Sequence, residues 1–101
     1  MNTFFSSIFI KEETLKEARI YHPIKLEYYK IINEEAKQQS KAKFGINIVK
    51  IEYKKDGLQV ENENIRYISN DEKEIENILG LLERNEVTPI GLEDIINDFI
   101  C

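Results

Sequence analysis

The sequence predicts a small two-layer α+β domain, a three-stranded antiparallel meander followed by two C-terminal helices. Three observations carry that prediction. Ile75, Ile78, Leu79 and Leu82 recur at i, i+3, i+4 and i+7, and Leu92, Ile95, Ile96 and Phe99 repeat the spacing, so each set shares one helical face. Phe44, Ile46 and Ile48, and then Val49, Ile51 and Tyr53, alternate as strand residues do. Lys55-Asp56-Gly57 is a hairpin signal, because glycine accepts the positive φ that a tight turn demands. A meander has one face to cover, and helices that follow it directly in sequence pack there.

The chain divides into a variable N-terminal segment, residues 1–23, and a single α+β domain, residues 24–101. Phe4, Phe5, Ile8, Phe9 and Ile10 are too apolar to leave in water. They are expected to add as a strand to a sheet edge, of the same molecule or of a second copy in a homodimer, or to bind a partner groove as a tail. Lys11 to Arg19 is a weak helix with Leu15 and Ala18 on one side, and His22-Pro23 ends it. His22, the only histidine, is expected at a surface turn.

Ile24 to Ile32 reads either as a strand, through Ile24, Leu26 and Tyr28, or as a helix running into the polar stretch after Asn33. From Phe44 the strand pattern is clear, but its phase changes at Ile48-Val49. That change predicts a bulge or a strand covered on both faces. Leu58 and Val60 begin the returning strand, Asn62-Glu63-Asn64 interrupts it, and Ile65, Tyr67 and Ile68 resume it. The first C-terminal helix has two candidate capping boxes, Ser69 with Glu72 and Asp71 with Glu74. Gly80 within its stripe is costly in a helix and suits a close approach by the second helix. Thr88 and Pro89 mark the start of that second helix, as N-cap and N1. Ile78, Leu82, Ile95 and Phe99 are the expected core contacts.

With 101 residues, 42% hydrophobic and 33% charged, the chain suits one soluble domain. The net charge is −5, unevenly spread: residues 1–60 carry 11 Lys and Arg against 8 Asp and Glu, and residues 61–101 carry 3 against 11. The acidic half is the helical half, which suits solvated helix faces or an acidic docking face. The single cysteine, Cys101, allows no intrachain disulfide. No signal peptide and no apolar run of membrane-spanning length is present, so a cytoplasmic protein without membrane contact is expected.

Catalytic chemistry finds little support. No Cys/His cluster with zinc spacing occurs, and the four glycines build no phosphate-cradling motif. A nucleophilic triad would have to use His22, and nothing else points there. Acidic pairs such as Glu34-Glu35 and Glu93-Asp94 read as solvated charges. No enzyme and no cofactor is therefore expected.

Phe44-Gly45-Ile46, Ile68-Ser69-Asn70-Asp71, Leu82 to Pro89 and Asp94 to Ile100 together resemble a family of small uncharacterised proteins of clostridia and related Firmicutes, the domain of unknown function DUF6514. The likeness spans about residues 24–100. It implies an α+β domain and brings no activity or functional residue with it.

The expected function is a small protein-interaction or regulatory module with an unidentified protein partner. The alternative is a nucleic-acid-binding module, the less favoured reading for so acidic a chain. It would use Lys50, Lys54 and Lys55, with Lys37, Lys41 and Lys43 in the preceding loop and Tyr53 and Tyr67 for stacking.

Overall fold

Four strands build the sheet, one more than the sequence pattern predicts, and the extra strand is the first stretch of the chain. In the computed structural model, which describes residues 1–35 and 41–100, Asn2–Ile10 forms β1. It pairs antiparallel with β2, Ile24–Ile32, which pairs with β3, Phe44–Lys54, and that with β4, Gly57–Ser69. The sheet order is β1-β2-β3-β4. The predicted three-stranded meander is thus corrected to a four-stranded one. Phe5, Ile8 and Ile10 pack against the core, which is why this apolar stretch joins the sheet instead of trailing in solvent.

Between β1 and β2, helix α1, Glu12–Leu15, tightens into a 3-10 turn at Lys16–Ala18. Arg19 closes it at φ 60°. Residues 24–32, open between strand and helix from sequence, are a strand on the side that β-branched and aromatic side chains favour. β4 runs unbroken through Asn62-Glu63-Asn64.

Helix α2, Glu72–Arg84, uses the second of the two candidate caps. The Asp71 carboxylate accepts from the N–H groups of Lys73 at 3.0 Å and Glu74 at 3.4 Å, while Ser69 Oγ accepts from the Asp71 N–H. After a turn with Glu86 at φ 50°, Pro89–Gly91 forms a 3-10 turn that leads into α3, Leu92–Ile100. Thr88 occupies the cap position without a side-chain hydrogen bond, so proline's fixed φ rather than a hydroxyl cap marks the entry.

Both helices lie on one face of the sheet. Ile24, Leu26 and Tyr28 of β2 and Ile46 and Ile48 of β3 meet Ile75, Ile78, Leu79 and Leu82 of α2 and Leu92 and Ile96 of α3. Tyr28 is fully buried, and its hydroxyl donates to the Val87 carbonyl at 2.9 Å, tying the interhelical turn to the middle of the sheet. Burial, and then the nearby Glu86 and Glu83 carboxylates, push this phenol well above its ordinary pKa. Of the expected core contacts, Ile78 and Leu82 are buried and Ile95 is partly buried. Phe99 is not a core residue: it is 48% exposed. The stripe turns out of the core at the last helical turn, where Ile96 takes the inner position.

Gly45 explains an irregularity on β4. Ile46 pairs with Ile65, but Phe44 pairs with Ser69, so β4 carries extra residues beside Gly45. A Cβ on Gly45 would lie 2.3 Å from the carbonyl oxygens of both Ile65 and Arg66. Gly80, in contrast, has room: an added Cβ meets only the Arg84 side chain, at 3.6 Å, and no second helix approaches it.

Candidate functional site

Alternation fixes which residues share the face away from the helices. On β3 these are Gly45, Asn47, Val49, Ile51 and Tyr53, and the register sets them against Ile31, Tyr29, Glu27 and Lys25 of β2 and Asn64, Asn62, Val60 and Leu58 of β4. β1 adds Asn2, Phe4, Ser7 and Phe9. Phe4 meets the Tyr29 ring edge-on at 5.8 Å, and Phe9 meets Tyr53 at 6.1 Å. Phe4, Phe9, Leu58 and Val60 are exposed over more than half of their surface.

The phase change at Ile48-Val49 acquires its meaning here. No bulge interrupts β3 at that point; both faces of the strand are buried from Gly45 to Ile48, and from Val49 onward the face away from the helices is only partly covered. Its apolar residues move from the helix-covered face to the open face, while Lys50, Glu52 and Lys54 take the other. Gln59, Glu61 and Glu63 of β4 lie on the helix side and are nonetheless exposed, so the helical layer ends before the β3–β4 hairpin does.

In a chain that is 33% charged, the open face holds only Lys25 and Glu27 among its paired strand residues, and these neutralise each other at 3.3 Å. Tyr29 donates to Glu27 at 3.1 Å; burial first, and then this carboxylate, raise the phenol's pKa. Asn47 is buried on this face, and its side-chain oxygen has no partner among the described residues. An unpaired buried carbonyl of this kind costs free energy until a donor reaches it.

The lysines singled out from sequence are only partly brought together. Lys50 and Lys54 flank Glu52 on the helix side, and Lys54 donates to Gln59. Lys55 is exposed in the hairpin turn. Tyr53 projects from the opposite face, so these lysines and that ring do not form one surface. Lys43 donates its backbone N–H to Asn70, and Lys37 lies outside the described residues, as does Cys101. Lys41 stands 4.9 Å above the Tyr67 ring at the other end of the sheet, where Arg66 also approaches that ring and pairs with Glu35 at 2.8 Å. Asn33 braces this corner: it accepts from Arg66 Nε at 2.9 Å and donates to the Arg66 carbonyl at 2.7 Å.

His22, expected at a surface turn, pairs with Glu52 at 2.8 Å. The hydrogen bond from His22 holds the Glu52 carboxyl below its usual range, and Lys50 and Lys54 add to the effect against the opposing cost of burial. Among the described residues, no three His, Cys, Asp or Glu side chains converge as metal ligands, and no helix is long and apolar enough to cross a membrane. A shallow hollow at the hairpin tip, lined by Lys54, Asp56, Gly57, Leu58 and Gln59, holds no convergent reactive groups.

The open face was present in the sequence as the phase change of β3. Its β1 part was not, because a segment of uncertain placement gives no register.

No curated protein and no solved structure matches the chain. The family model for DUF6514, a family of unknown function, matches residues 6–101. The motifs of the resemblance serve the fold: Gly45 admits the irregular β4 backbone, Asp71 caps α2, and Val87 receives the Tyr28 hydroxyl. With nearly its whole length matched, β1 included from Ser6 onward, the chain belongs to the DUF6514 family.

Proposed function

We propose that the protein is a non-catalytic protein-interaction or regulatory module of the cytoplasm, and that a partner protein docks on the open face of its sheet. One observation carries this reading. The face exposes Phe4, Phe9, Leu58 and Val60 around a surface whose only charges among the paired strand residues, Lys25 and Glu27, cancel each other. Exposed apolar patches of this kind mark interaction sites more often than they occur idle. The partner surface that fits is uncharged and contains aliphatic side chains. The single cysteine among 101 residues accords with a reducing compartment.

A photo-crosslinking side chain in place of Val49, in cells that produce the protein naturally, tests the proposal. Adducts with a protein of a different sequence are expected from position 49 and not from Asn77 on the exposed side of α2. Equal yields from both positions, or none from position 49, would overturn it. The nucleic-acid alternative predicts binding that weakens steeply with salt and disappears when Lys50, Lys54 and Lys55 are replaced together.

A further inference from the structure

The outer edge of β1 carries a second inference, independent of the open face. The backbone groups of Met1 and Ile32 exchange two hydrogen bonds, at 3.0 and 2.8 Å. Such pairs alternate along an antiparallel ladder, so the β1 residues bonded to β2 are next Thr3 and then, past the irregularity at Phe5, Ser6, Ile8 and Ile10. The N–H and C=O groups of Asn2, Phe4, Ser7 and Phe9 therefore point away from the sheet. Among the described residues, no backbone hydrogen bond reaches them from outside the ladder.

Proteins usually guard such an edge with charge or proline. β4, at the far side of the sheet, follows that practice with Glu61 and Glu63. β1, sequence NTFFSSIFI, has neither. Pairing β4 with its own copy would set acidic side chains against each other, whereas β1 meets its copy without any charge cost.

We propose that two copies of the chain associate through β1, antiparallel and edge to edge, about a twofold axis at Ser7 normal to the sheet. Ser7 then exchanges hydrogen bonds with Ser7 of the second copy. Counting Phe4 and Phe5 as one step at the irregularity, Phe4 stands opposite Phe9 of the second copy. Both side chains lie on the open face, so the Tyr29–Phe4 and Phe9–Tyr53 contacts join into an aromatic row across the axis. The axis keeps both helical layers on the same side and extends the two sheets into one.

Sedimentation equilibrium of the full chain from micromolar to millimolar concentration tests this. The wild-type protein is expected to reach twice the chain mass. Ser7→Pro removes one outward N–H at an edge position where proline leaves the β1–β2 ladder intact. It is expected to give the mass of one chain with unchanged circular dichroism. Ser7→Lys retains the N–H and brings like charges together at the axis; it too is expected to be a single chain, and it decides the matter if the proline variant does not fold. A wild-type chain that stays single throughout, or a dimer that the folded Ser7 variants leave intact, overturns the proposal. Crosslinking from position 49 to a different protein is unaffected by either result, so the open-face reading stands or falls separately.

Discussion

At the scale of single residues, close approaches and buried partners decide what can change. Gly45→Ala places a methyl group against two carbonyl oxygens and is expected to cost about 1–3 kcal/mol, the range for overpacking, in chemical denaturation. Gly80→Ala is expected to raise stability by about 1 kcal/mol, because the added methyl group has room and the helix gains propensity. The two substitutions are chemically identical and opposite in sign; helix propensity gives the sign at Gly80 from sequence, whereas the sign at Gly45 needs the fold. His22 and Glu52 give a pH signature. A carboxyl whose pKa is lowered on folding stabilises the protein above its unfolded pKa, and that contribution is lost as pH falls through the lower, folded value. Stability is thus expected to fall in acid, below about pH 4.5. In an NMR titration of the carboxyl carbons, His22→Ala is expected to move the Glu52 midpoint upward.

At the scale of elements, the helices and the central hairpin were legible because their signals are local. Helical spacing located α2 and α3, and Asp56-Gly57 located the β3–β4 turn, with Gly57 at φ 137°. What was hidden depends on contacts distant in sequence. The first stretch is expected from sequence as an added edge strand, of the same molecule or of a second copy, and only its pairing with β2 shows that the edge is its own, while Phe99 continues an apolar stripe that the sheet no longer reaches. Mutation of α3 should reproduce this. Ile96→Ala is expected to cost about 2–5 kcal/mol as a buried truncation, and Phe99→Ala, at a half-exposed site, about 1 kcal/mol or less. Thermal or denaturant unfolding of the pair checks it, and equal losses would place the last turn of α3 inside the core.

At the scale of the whole molecule, the sheet outruns its helical cover. The protein measures 46 × 26 × 18 Å, long for 101 residues, and the exposed distal half of β4 lies at the uncovered end. Backbone amides of the distal β3–β4 hairpin, residues 53–60, are expected to exchange with deuterium faster than those of Leu26, Tyr28 and Ile46, which lie beneath α2 and α3. Uniform protection across β3 would contradict that gradient. The sequence showed the acidic helical half and the more basic sheet half, but not that one side of the sheet faces away from the helices with few charges on it.

The phase change within β3 has a consequence for selection. Ile46 and Ile48 are held by folding alone, since they lie beneath the helices. Val49, Ile51 and Tyr53 lie outside that cover, and under the proposed function the demands on them come from the docking partner. Saturation mutagenesis scored once for cellular abundance and once for growth under conditions that require the protein should therefore disagree along this one strand. Intolerance to polar residues would follow even positions up to 48 in the first score, and odd positions from 49 in the second. Eleven consecutive codons would then record where the requirement to fold gives way to the requirement to be recognised.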